Sequence, residues 1–294
     1  MTHDSLPSHP ADRLLAAIDR FAAPVCVGID PVLGRLPEQL RPREDDVQSI
    51  VNALADFTLG VLEAVKDHVP CVKFQSACYE RYGWQGVRTL QEMIGHARAI
   101  GLEVILDAKR GDIGISAEHY AAAAFNQHAP ANWLTINGYL GADGIEPFIK
   151  QGAGAFVLVR TSNPGGDALQ GQRLAGGGTI ADAVAEMVAH LGGPFVGQRG
   201  FSALGAVVGA TKPDDAARLR RAMPQQLFLV PGFGAQGGSV DDILPCFRDG
   251  SGAIVTASRS VIYAFAPDAS NWREHVSSAA QDLARTVARA VQRR

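Results

Sequence analysis

Eight short apolar runs, each closed by polar or glycine-rich residues and each followed by a helix-patterned stretch, restrict this chain more than any other feature. They read PVCVGID (24–30), CVKFQSA (71–77), EVILDAK (103–109), NWLTING (132–138), AFVLVRTS (155–162), ALGAVVGA (203–210), LFLVPGFG (227–234) and GAIVTAS (252–258). Apolar residues recur at helical spacing over 47–67, 85–100, 116–128, 143–151, 178–192, 213–222, 239–248 and 270–292. Strands alternating with helices pair in parallel through crossover helices. Several runs are almost continuously apolar, the pattern of strands covered on both faces. The expectation is an α/β fold, a single (β/α)8 TIM barrel with an extra N-terminal helix near 11–21. The competing architecture is an open doubly wound sheet, which would bind its ligand at a topological switch point. No linker or shift in composition marks a boundary, so 1–294 is read as one barrel domain whose first ten residues form a flexible leader.

Charge and composition narrow the partners. The formal net charge is −3 at pH 7, so no basic field invites nucleic acid or an anionic membrane surface, and a small ligand is expected. The opening MTHDSLPSHPADR lacks the basic-then-apolar pattern of a secretory signal, and no run approaches the roughly 20 apolar residues of a spanning helix. A cytoplasmic location is the resulting expectation. The four cysteines, Cys26, Cys71, Cys78 and Cys246, form no CxxC pair and are read as reduced core residues. The eight histidines show no HxxxH or HxH spacing, so no protein-built metal site is expected.

In a (β/α)8 barrel the chemistry gathers at the carboxyl ends of the strands. The polar residues there are Asp30, Lys73, Asp107, Lys109, Asn137, Thr161 and Ser162, with Gln236 and Arg259 after the last two strands. The glycine-rich turn PGFGAQGG exposes backbone N–H groups, and the next turn offers Ser258, Arg259 and Ser260. Barrels often hold a phosphate at this place, and a guanidinium is a planar fork matched to phosphate oxygens. A phosphate monoester is therefore the expected ligand. The segment 161–178 is long and glycine-rich for a connector, which suits an active-site cover.

The run LDAKRGDIG (106–114) places Asp107, Lys109 and Asp112 at a strand mouth. Positions two apart on a strand share a face, so Asp107 and Lys109 can project together into the barrel mouth while Ala108 faces the helices. An ammonium among carboxylates is held charged. Schiff-base chemistry needs a lysine of lowered pKa, so Lys109 is read as a donor of protons or hydrogen bonds.

Asp107-Ala-Lys109-Arg-Gly-Asp112-Ile113 resembles the D-x-K-x-x-D-[IV] signature of the orotidine 5'-phosphate decarboxylase family. The blocks CVGIDP, CVKFQSACYERYG, TSNPG, PGFGAQGG and SRSVIYA resemble its remaining motifs in order, particularly in its longer bacterial branch, over about residues 24–264. The resemblance implies cofactor-independent decarboxylation of orotidine 5'-monophosphate to UMP, the last step of de novo pyrimidine synthesis, in a homodimeric barrel without metal. It implies that Lys109 protonates C6, that Asp107 sits against the substrate carboxylate and that Asp112 reaches the neighbouring subunit's site. Asp30 and Lys73 would hydrogen bond the ribose, Lys73 also lying next to Asp107. Ser162 would meet the pyrimidine, and Gln236 and Arg259 would hold the phosphate. Ile113, Ser116, Pro231 and Gly237 are carried over as further substrate-binding residues. Ser116 stands where the family usually has threonine, and Ile115 where a small residue is common, so a small change in ribose or partner contact is expected. Two other readings share the barrel: a magnesium-dependent sugar-phosphate decarboxylase or hexulose-phosphate synthase, and a non-catalytic nucleotide-binding barrel.

Overall fold

The computed structural model describes residues 9–126, 128–234 and 238–293. The leader expected over 1–10 thus lies mostly outside the described residues, and its end is already helical. The chain runs α1 (Pro10–Phe21), β1 (Val25–Ile29), α2 (Val47–Val65), β2 (Cys71–Gln75), α3 (Ala77–Glu80), α4 (Gly83–Ala99), β3 (Glu103–Arg110), α5 (Gly114–Phe125), β4 (Trp133–Ile136) and α6 (Glu146–Ile149). It continues through β5 (Gly154–Arg160), α7 (Asp167–Gln170), α8 (Ile180–Gly192), β6 (Ser202–Val208), α9 (Pro213–Ala222), β7 (Gln226–Val230), α10 (Val240–Ile243), β8 (Ala253–Ala257), α11 (Arg259–Ile262) and α12 (Trp272–Gln292). All eight strands are parallel and close in sequence order, β8 pairing with β1. This is the (β/α)8 barrel, and closure excludes the open doubly wound sheet.

Local signals place the helix ends. The Asp46 carboxylate accepts the Ser49 N–H at 3.0 Å to start α2, and Thr179 with Asp182 forms a capping box at α8. Two expected helices shrink to a single turn. Gly144 and Pro147 flank the start of α6, and after α10 the chain tightens into a 3-10 turn containing Pro245.

The continuous apolar runs resolve into two alternating faces. Val25, Val27 and Ile29 of β1, and their counterparts around the sheet, pack outward against the helices. Cys26, Cys71, Ile105, Trp133, Phe156, Leu227 and Ile254 point inward, where Ala11, Leu14 and Leu15 of α1 join them and plug the barrel floor. Trp133 stacks on Phe156 with ring centroids 4.5 Å apart. A Cβ on Gly154 would come within 2.2 Å of the Trp133 ring, so that position leaves space for the indole. With the floor filled, only the upper inward layer remains for polar side chains.

Candidate active site

The inward positions one layer above that floor open a cavity of about 270 Å³ at the carboxyl ends of the strands. Asp30, Lys73, Asp107, Thr135 and Thr256 line it from five different strands or strand ends, and Lys109 closes one side. Leu158, Val207 and Leu229 form its apolar wall.

Asp107 is the hub. Its Oδ2 accepts the Lys73 ammonium at 2.6 Å, and its Oδ1 accepts the Lys109 ammonium at 2.6 Å and the Thr135 hydroxyl at 2.8 Å. Burial alone would raise this carboxyl, but Lys73 and then Lys109 outweigh burial and hold it well below the usual carboxylate range. Burial would likewise lower Lys73, yet Asp107 and Asp30 raise it above an ordinary lysine. Asp107 and Lys73 can stay charged despite their burial because each has an opposite neighbour.

Within this chain one carboxylate therefore lies between two ammoniums. Asp112 does not line this cavity. Its Oδ1 accepts the N–H of Ile113, and it borders a separate surface depression with Ile115, Ser116 and Tyr120. Ile113 is likewise outside the cavity and 56% exposed. Asp112, Ile113 and Ser116 thus lie outside the cavity at the barrel mouth.

The regular pleat expected for β3 is interrupted as well. Pairing with β4 passes from Leu106↔Leu134 to Arg110↔Ile136, so β3 contains two extra residues over this interval. Lys109 sits in the left-handed region at φ 48°, a conformation that costs a non-glycine residue on the order of 1 kcal/mol or more. A bulge, rather than simple alternation, brings the Asp107 and Lys109 side chains together.

On the opposite rim lie Ser162, Pro231, Gly232, Ser258 and Arg259. Gly232 adopts φ 96°, which lets the β7 turn bring its backbone to the cavity. Arg259 has no carboxylate partner among the described residues, so its guanidinium is available to an anion. Gln236 and Gly237 lie outside the described residues. Asp30 is held from behind, the Tyr263 hydroxyl donating to its carbonyl at 3.0 Å and accepting the Val32 N–H at 2.7 Å. Asp30 Oδ1 and Thr256 Oγ1 are buried without a hydrogen-bond partner among the described residues, two polar atoms suited to a ligand.

The segment 161–178 is folded rather than a bare loop. Arg160 bonds Asp215 of α9 at 2.7 Å through Nε and Asp167 of α7 at 2.5 Å through Nη2, and Lys212 meets Asp167 at 2.8 Å. Thr161 donates its N–H to Gln170 at 2.8 Å. Arg160, Thr135, Thr256 and the apolar wall were not singled out in the sequence. Only the inward alternation of β4, β5 and β8 could have pointed to them, and continuous hydrophobicity hides it. Asn137 caps the next turn, accepting the Tyr139 N–H, and does not line the cavity.

Known proteins are similar to this chain. The profile of the orotidine 5'-phosphate decarboxylase / HUMPS family matches residues 23–273. The orotidine 5'-phosphate decarboxylase of Rhodopirellula baltica is 43% identical over 289 residues, covering 92% of this chain and 95% of the relative. That of Clostridium acetobutylicum is 35% identical over 258 residues, with 86% and 89% covered. The structure of Leishmania donovani OMP decarboxylase superposes with a TM-score of 0.77 at 31% identity, covering 97% of this chain and 99% of that one.

Proposed function

The chain belongs to the orotidine 5'-phosphate decarboxylase / HUMPS family, and from that premise we propose how its barrel mouth works. The protein is a carboxy-lyase that converts orotidine 5'-monophosphate to UMP in pyrimidine biosynthesis. The observation that carries the residue assignment is the Lys73–Asp107–Lys109 array, with Lys73 and Asp107 buried, facing a rim whose arginine has no carboxylate partner among the described residues.

Arg259, with Pro231 in the turn after β7, takes the phosphate, and Gln236 and Gly237 are assigned to the same group from their place in PGFGAQGG. Asp30 and Lys73 take the ribose hydroxyls, and Ser162 the pyrimidine. The substrate carboxylate then lies toward Asp107 and the apolar wall. Two like charges about 4 Å apart repel by about 4 kcal/mol at an effective dielectric of 20, and loss of CO2 relieves that repulsion. Electrons of the broken C6–carboxylate bond stay on C6. The Lys109 ammonium, fixed beside Asp107, stabilises this developing charge without solvent reorganisation and delivers its proton to C6. Phosphate binding far from C6 serves to hold segment 161–178 and the turn at Gly232 against the substrate, so distant contacts act on rate.

The working unit in this reading is a cytoplasmic homodimer of one-domain barrels. Support comes from Asp112, Ile113 and Ser116, which lie outside their own cavity, and from the exposed apolar side chains Ile115 and Tyr139. Across a two-fold axis Asp112 would approach the partner's Lys109.

Purified protein in EDTA, followed by the loss of orotidylate absorbance, tests the assignment. Wild type turns over, and Lys109→Ala loses about 100-fold or more. Wild type and variant being equally inert would end the reading. Activity that disappears only with chelator would favour the magnesium-dependent synthase branch.

A further inference from the structure

Opposite the β3 bulge stands one side chain that the decarboxylation scheme leaves unused. Thr135 is the β4 residue between Leu134 and Ile136, the two that keep register with β3 on either side of the irregularity. It is buried, 1% exposed. Its Oγ1 accepts the Lys109 backbone N–H at 3.0 Å and donates to Asp107 Oδ1 at 2.8 Å. A hydroxyl has one proton to donate, and here both of its roles are assigned without conflict.

The bulge creates the need for this residue. Where β3 carries extra residues, the Lys109 N–H no longer meets a β4 carbonyl, and an unpaired amide at a half-buried site costs free energy. Lys109 also occupies a left-handed conformation that persists only when its surroundings impose it. The hydroxyl supplies the missing acceptor and simultaneously anchors the carboxylate to which the same residue's ammonium bonds at 2.6 Å. Backbone and side chain of Lys109 are thereby tied to one carboxylate oxygen, directly at one end and through Thr135 at the other.

We propose that Thr135 is a positioning residue for decarboxylation, its hydroxyl locking the Lys109 backbone and the Asp107 carboxylate into the geometry that aims the Lys109 ammonium. This rests on the Lys109 role given above. Thr135 acts through the two charged residues, so its removal slows the chemical step and spares binding at the distant phosphate rim.

The test uses the full-length protein with Thr135→Val, nearly isosteric but without the hydroxyl, and Thr135→Ser, which keeps it. For Thr135→Val, kcat for orotidine 5'-monophosphate falls about 10- to 100-fold, the range for losing a hydrogen bond to a charged group. KM and UMP affinity stay within about threefold, because uniform binding is untouched. Thr135→Ser restores most of kcat. A second readout does not depend on turnover: exchange of the Lys109 amide, followed by NMR, accelerates about tenfold or more in Thr135→Val and returns toward wild type in Thr135→Ser. Wild-type kcat in the valine variant, serine as slow as valine, or an unchanged Lys109 amide would each overturn the proposal. Should wild type itself fail to turn over orotidylate, the functional reading falls, and the exchange measurement still decides whether Thr135 holds the bulge.

Discussion

At the scale of single residues the decisive fact is that Asp107 carries its charge between two ammoniums. Its carboxyl lies below the ordinary value of about 3.9, so its contribution to stability is fully present above that value and is lost as pH falls toward the lower value of the folded state. In a 13C titration the Asp107 carboxyl should therefore show no protonation between pH 8 and pH 4. A midpoint at or above 3.9 would contradict the charge array. Lys73 behaves in the opposite sense: its folded value is raised, so its contribution is complete below the ordinary lysine value and is lost only as pH rises beyond it. D-x-K-x-x-D made Asp107 and Lys109 legible as residue types. Sequence spacing could not reveal that Lys109 needs a left-handed backbone and Thr135 opposite it.

Among elements, the helix-to-strand connections leading into β7 and β8 at the barrel floor depend on one buried cation. Arg220 of α9 donates to the carbonyls of Cys246 at 2.9 Å, Met223 at 2.9 Å, Gln226 at 2.8 Å and Gly252 at 2.9 Å, and covers the Phe228 ring at 3.5 Å. It thus joins α9, β7 and the entries to β7 and β8. Arg220→Met keeps bulk but removes four hydrogen bonds, the Gly252 and Met223 carbonyls retaining the Phe228 and Gln226 N–H groups, so urea unfolding should show a loss of about 2–5 kcal/mol. The cavity is at the other end of the barrel, so kcat measured well below the unfolding transition should stay within about twofold of wild type. A stability loss under 0.5 kcal/mol would show that relaxation or water replaces the arginine. The pattern PDDAARLRRA announced a helix but not which arginine turns inward, because helix face is set by what packs against it.

For the whole molecule, the asymmetry of the barrel organises function. α1 plugs the floor with Leu14 and Leu15, and the open end holds the charges. Beside that end, Ile115 is 70% exposed and Tyr139 74% exposed, where β3 and β4 leave the barrel. If this surface joins two copies, Ile115→Asp should shift the protein toward monomer in sedimentation velocity. Turnover should fall at least about tenfold as Asp112 of the partner withdraws. A monomeric variant with wild-type turnover would remove the shared-site reading, while a variant that remains dimeric would move the interface elsewhere.

The order of eight strand and helix units, the parallel barrel and the identities of Asp30, Lys73, Asp107, Lys109 and Arg259 were all readable in the chain, because hydrophobic period and motif spacing are local properties. Two features belong to tertiary structure alone: the bulge that sets Lys109 in a left-handed conformation, and the Thr135 hydroxyl that meets its backbone from β4. Each depends on which groups a closed barrel brings within about 3 Å across strands. That proximity comes from register and burial, which one-dimensional spacing does not encode.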